Sequence, residues 1–140
     1  MMTQEKLSLP YTHVTIFLDY NRGRQMKCIK LWSRFVMVRV RYRLQPLLWC
    51  EWLILDALCA QPHIAHSPEA VRAHCLEQFG LWSIFFLDNL EHTLLSMCAQ
   101  GLVVAYYDYN AGNPSYTYRP DPVGTCRYAV YQEYMSLNVT

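Results

Sequence analysis

The sequence predicts an α+β fold in which three helices run directly into a β-hairpin, with a basic β segment in front and one further helix behind. Three observations predict it. Residues 46–100 place apolar side chains at helical spacing between recognisable caps. Residues 102–119 form two aromatic-rich runs around the turn Asn110-Ala111-Gly112-Asn113-Pro114. Residues 12–44 hold β-branched runs, the last of which alternates with a period of two.

The basic segment comes first. Thr12 to Tyr20 is rich in β-branched and aromatic residues, Asn21-Arg22-Gly23-Arg24 reads as a turn, and Met26 to Trp32 can return as a second strand. From Phe35 to Leu44, Val36, Val38, Val40 and Tyr42 fall on one side of a strand and Met37, Arg39, Arg41 and Arg43 on the other. Gln45-Pro46 ends the run, and Pro46 suits the first turn of a helix.

Leu47 to Ala60 is apolar almost all round, which predicts a helix central to the core. After a loop over 61–66, Ser67-Pro68-Glu69 supplies an N-cap, a proline in the first turn and an acid near the positive helix end. That helix extends to Phe79 and stops at Gly80, while Leu81 to Phe86 is either a short turn or the beginning of the next helix. Leu87, Leu90, Leu94 and Met97 make one stripe on a third helix, Leu87 to Gln100, ended by Gly101. Leu102 to Tyr109 and Ser115 to Arg119 are the hairpin strands. Pro120-Asp121-Pro122-Val123-Gly124 breaks the chain, and Thr125 to Met135 forms the last helix. The expected organisation is a basic β extension over 1–45, a three-helix-plus-hairpin domain over 46–124 and a C-terminal helix over 125–140.

Composition bounds the function. The chain has 140 residues, 53% hydrophobic and 16% charged, so it can bury a core as one domain and is too apolar to be wholly disordered. Its formal charge of +1 conceals a division. Residues 1–45 hold nine Lys/Arg against two acids, a local +7, and residues 46–140 hold three against nine, a local −6. The most apolar run, Leu47 to Ala60, is 14 residues long and contains Glu51 and Asp56. A membrane span needs about 20. The first twenty residues lack the order of a secretory signal, and the six cysteines form no C-x-x-C pair. They read as reduced, buried side chains of a cytoplasmic protein.

Three helices followed by a hairpin is the winged-helix order, in which the third helix enters the major groove and the hairpin lies over the DNA backbone. Two stretches narrow the comparison. Leu53-Ile54-Leu55-Asp56-Ala57-Leu58 stands on the first of the three helices, and Tyr118-Arg119-Pro120-Asp121-Pro122-Val123-Gly124 follows the hairpin. In these the chain resembles the PadR-like transcriptional regulators over roughly residues 50–135, keeping the Tyr, Arg, Pro and Gly of their post-wing stretch and losing its Leu and Thr. The resemblance implies a homodimer on double-stranded DNA, with the C-terminal helix in the dimer contact.

On that expectation, Asn89, His92, Thr93 and Ser96 would read base edges. Arg119 with the amides of Asn110 and Asn113 would hold the backbone, and the Arg39, Arg41, Arg43 row would track phosphates. The alternative for that row is a solvated strand face. The third helix itself offers Asp88 and Glu91 and no Lys or Arg. The alternative function is therefore a protein–protein interaction module on the same fold, with an acidic, aromatic surface. A positive face joining Arg39–Arg43 to the wing would favour DNA; an acidic or apolar third helix with the arginines elsewhere would favour a protein.

Catalysis and metal binding find little support. Cys59, His63, His66, His74 and Cys75 are the densest set of possible zinc ligands, but their spacing matches no standard finger, and loop histidines beside buried cysteines explain them. No phosphate loop, nucleophile elbow or H-E-x-x-H motif is present in the sequence. The expectation is a non-enzyme without cofactor. Trp49 and Trp52, three apart, read as core or dimer contacts, with a ligand slot as the alternative.

Overall fold

The computed structural model describes the backbone of residues 2–109, 112 and 115–137, and side chains from residue 22 onward. It is α+β. Among the described residues, α1 (Met2–Arg41), α2 (Trp49–Cys59), α3 (Pro68–Phe79), α4 (Leu81–Ile84) and α5 (Leu90–Ala99) precede strands β1 (Val103–Asp108) and β2 (Ser115–Pro120), and α6 (Pro122–Leu137) follows. A 3-10 turn, Phe85–Leu87, joins α4 to α5. The order is consistent with a winged-helix-like arrangement carrying an added helix at its front. No described helix is long and apolar enough to cross a membrane.

The basic β segment is the principal correction: the expected strands at 12–20, 26–32 and 35–44 all fall within the helix α1 or the turn after it. The alternation that suggested a strand is not the pattern that is buried. Cys28, Phe35 and Val38 are buried, with Leu31 packed against the same core, which is a helical period. Val38 is 0% exposed, yet Val36 is 40% and Val40 73% exposed, so the three valines do not share a face. Packing of a 3.6-period face overrides the β preference of individual valines. The residues 21–24 expected to turn lie inside the helix. The turn comes at Arg43, whose φ of 50° is left-handed and stops α1.

The C-terminal half of α1 shares the core of the rest of the chain. Phe35 stacks on Tyr131 of α6 at 5.1 Å and meets Trp49 of α2 at 5.3 Å, and Trp49 and Trp52 stack at 5.1 Å. The Arg24 guanidinium donates to the carbonyl oxygen of Glu77, a cation placed at the negative end of α3. Both α2 tryptophans are buried, in accord with a core role.

The remaining elements follow their local chemistry. In α2 nearly every side chain is buried, as an all-apolar helix requires. Its first turn begins at Trp49, three residues after Pro46. Ser67 Oγ accepts from Ala70 N–H at 3.1 Å and Pro68 opens α3, which stops at Gly80 with φ 81°. Leu90, Leu94 and Met97 are the buried stripe of α5. Gly101, at φ 77°, closes that helix: its N–H donates to Cys98 O at 3.0 Å and that of Leu102 to Met97 O at 2.9 Å. This pair of bonds is the Schellman pattern.

The hairpin is antiparallel, pairing Val103 with Pro120 through to Asp108 with Ser115. A third contributor joins it: His66 N–H donates to Tyr118 O and Tyr118 N–H to His66 O, each at 2.8 Å. Helix α6 starts three residues earlier than expected, at Pro122, because Asp121 caps it by accepting from Val123 N–H at 2.9 Å. Gly124 then lies inside the helix at a close crossing, where an added Cβ would sit 2.1 Å from Leu102 O.

Candidate interaction face

One surface combines α5, the hairpin and the start of α3. The buried stripe of α5 faces α2 and β1, which turns Glu91, His92, Leu95, Ser96 and Ala99 outward. Leu95 is 57% exposed. Of the residues expected to read DNA, Asn89 is exposed just before α5 and makes no capping bond, and His92 and Ser96 are exposed. Thr93 is half-buried, and Ser96 Oγ accepts from Gln100 Nε2 at 3.2 Å. Asn110 and Asn113 lie outside the described residues. No Lys or Arg occurs between Arg72 and Arg119, so the only charges along α5 are the acids at its beginning and His92 if protonated.

The hairpin extends this face with aromatic side chains. Tyr107 meets Tyr109 at 4.6 Å and Tyr116 at 5.0 Å, both edge-on, so the tyrosines pack on their own sheet. Tyr109 nevertheless remains 83% exposed. On the other side of the sheet the Arg119 guanidinium covers Tyr106 at 5.8 Å and its Nε–H donates to Pro62 O at 3.4 Å. That cation is therefore engaged within the fold. Between the start of α3, α5 and the hairpin lies a cleft of about 250 Å³, lined in part by Glu69, Glu91, Ser115 and Tyr116. Two carboxylates and an aromatic ring make it suited to a cationic side chain.

The Arg39–Arg41–Arg43 row does not form. On a helix, side chains two apart point about 200° away from each other. Arg39 is half-buried, Arg41 lies over Tyr42 at 5.6 Å, and Arg43 is beyond the helix end. The cations that do share an edge of α1 are Lys27, Lys30, Arg34 and Arg41, at helical spacing. Helix α1 packs on α3, α4 and α6, whereas the hairpin packs on α2, α5 and α6.

The five possible zinc ligands are distributed among different partners. His74 Nε2 bonds Asp56 Oδ2 at 3.0 Å, and Tyr128 donates to Asp56 Oδ1 at 2.5 Å, which joins α3, α2 and α6. His66 Nε2 lies 3.1 Å from Gln61 O, and His63 is exposed. Cys75 points its thiol at Leu53 O, 3.7 Å away. Burial pushes the Cys75 thiol up to about 12 and that of Cys59 to about 11, which disfavours the thiolate that a metal or a nucleophilic reaction needs. Among the described residues no three His, Cys, Asp or Glu side chains are grouped to hold a metal.

Leu95 is outward, as its place on the third helix predicts, but the acidic cleft was not legible in the sequence. The alternation of Glu69, Glu91 and Tyr116 across three separate segments leaves no local signal, and only the assembled fold brings them together. No family model matches the chain, and no curated protein or solved structure matches it.

Proposed function

We propose that the chain is a winged-helix-type, non-catalytic interaction module that grips a protein partner bearing basic side chains through α5, the hairpin and the cleft between them. One observation carries this reading: the outward face of α5 presents Glu91, His92, Leu95 and Ser96 without a single Lys or Arg. Phosphates contribute most of the affinity of a DNA-binding surface, and an acidic helix repels them. The Glu69–Glu91 cleft and the exposed Leu95 supply the opposite chemistry, a cation socket beside an apolar anchor.

The test is fluorescence anisotropy with a labelled peptide rich in Lys and Leu, using intact protein and E69Q/E91Q. Saturable binding that weakens at least about tenfold in the double variant is expected, since each charge-assisted contact is worth that much. Binding indifferent to both carboxylates overturns the proposal.

The second reading is a cytoplasmic, homodimeric DNA-binding regulator of the PadR-like kind. It is favoured by the Lys27, Lys30, Arg34 and Arg41 edge of α1, which supplies phosphate contacts that α5 lacks. It requires tight binding of random duplex DNA at about 50 mM salt, with a salt slope that flattens in K27A/K30A/R34A. Absence of binding there removes it.

A further inference from the structure

A cavity of about 500 Å³ lies between the α1–α2 connection and the first half of α6, away from the face just described. Val123, Cys126, Arg127, Val130 and Tyr131 fall at i, i+3, i+4, i+7 and i+8 of α6 and line one wall; Leu44 stands on the other side. The stretch of α6 from Val123 to Tyr131 rises about 12 Å at 1.5 Å per residue. The volume is within the range of small-molecule sites, roughly 300–1,000 Å³.

Almost all of this lining is hydrocarbon, and its polar groups are few. The Tyr131 hydroxyl is already engaged, donating to Gln45 O at 2.6 Å. Arg127 Nε is buried and has no hydrogen-bond partner among the described residues. No Asp or Glu lines the cavity. Of the charges that act on Tyr131, Arg39 and Arg127 are cationic, while the one acid, Glu51, is held by Leu48 and Gln100. Arg127 is the one charged side chain among the lining residues and makes no ion pair among the described residues, and a cation without a counter-ion in an apolar wall is costly. A carboxylate entering the cavity supplies that counter-ion and accepts charge-assisted hydrogen bonds from the guanidinium.

We propose that this cavity binds an amphipathic monocarboxylate, a medium-chain aliphatic acid whose head group sits on Arg127 and whose chain lies along Leu44, Val123 and Val130. Neither a neutral nor a cationic amphiphile of the same length supplies that counter-ion.

Isothermal titration of the full chain with octanoate, 1-octanol and octylammonium tests it, repeated on R127M and V130W. The expected result is saturable octanoate binding at one per chain, and no saturable binding of octylammonium. Octanoate affinity should fall at least about tenfold in R127M, which keeps the apolar stem and removes the donor. V130W, which fills the cavity and leaves Arg127 in place, should also weaken binding. The proposal is overturned if wild-type protein shows no saturable octanoate binding, if 1-octanol binds as tightly, or if V130W retains full affinity. Unchanged affinity in R127M overturns it equally. If R127M does not fold, V130W and the comparison of head groups decide.

Discussion

Glu51 and Gln100 tie the first turn of α2 to the end of α5: Gln100 Nε2 donates to Glu51 Oε2 at 2.9 Å while Glu51 Oε1 accepts from Leu48 N–H at 2.8 Å. The carboxylate is buried, yet it is satisfied on both oxygens and sits at the positive end of a helix. Glu51→Ala should therefore cost about 1–3 kcal/mol, because it removes the acceptor of a helix-terminal N–H and one of the two acceptors of Gln100 Nε2. Glu51→Gln, which keeps an acceptor, should lose less. Urea unfolding of the two variants checks the order; equal losses would mean that the carboxylate charge at the helix end, and neither the retained acceptor nor side-chain volume, matters there.

The helical character of residues 22–41 predicts unequal valines. Val38 is fully buried and Val40 largely exposed, although a strand would have placed them on one face. Val38→Ala should cost about 1–3 kcal/mol, and Val40→Ala should stay within about 0.5 kcal/mol. Similar costs at both positions would contradict the helix.

This contrast also shows what was legible in the sequence and what was not. The Ser67-Pro68 start, the Gly80 and Gly101 stops and the Leu90–Leu94–Met97 stripe are local signals, and each appears in the structure where the residues place it. The valine alternation in α1 was a local signal too, but a false one. What fixes that segment is packing of Phe35 against Trp49 and Tyr131, 14 and 96 positions later in the chain. The acidic cleft was invisible for the same reason, since its carboxylates belong to different helices.

Gly124→Ala sets two effects against each other. Alanine favours a helix by about 1 kcal/mol over glycine. Its Cβ, however, would stand 2.1 Å from the Leu102 carbonyl oxygen, a backbone atom fixed by the bond it accepts from Asp121 N–H at 3.0 Å. The clash wins, and a net loss of roughly 1–3 kcal/mol is expected. A melting temperature equal to or above that of the wild type would show that α6 can shift away from Leu102 without cost.

Buried thiols make stability depend on alkaline pH. Burial raises Cys28 and Cys59 from 9.0 to about 11 and Cys75 to about 12. Above pH 9 the unfolded chain loses these protons while the folded chain retains them, so stability falls as pH rises. The contribution is fully present below about pH 9 and is lost progressively up to about pH 12. Cys75→Ala should flatten the slope of unfolding free energy between those limits. At neutral pH a thiol reagent should modify exposed Cys126 quickly and leave Cys28 and Cys75 unmodified until the protein unfolds.

Leu95 and Tyr109 test the proposed interaction face without touching the core. Both are largely exposed, so Leu95→Ala and Tyr109→Ala should leave stability within about 0.5 kcal/mol. Leu95→Ala should weaken binding of the Lys/Leu-rich peptide several-fold, measured by the same anisotropy titration. Undiminished affinity would move the contact off α5.

The bond pair between His66 and Tyr118 gives the hairpin a fixed root. With the α2–α3 loop on one side and the Leu102–Asp121 bond at its base, the arm cannot swing as a unit. A partner arriving at this face would meet an anvil. The root of the arm is set before contact, which keeps the entropic cost of association low and would make the orientation of a captured partner a property of the fold itself.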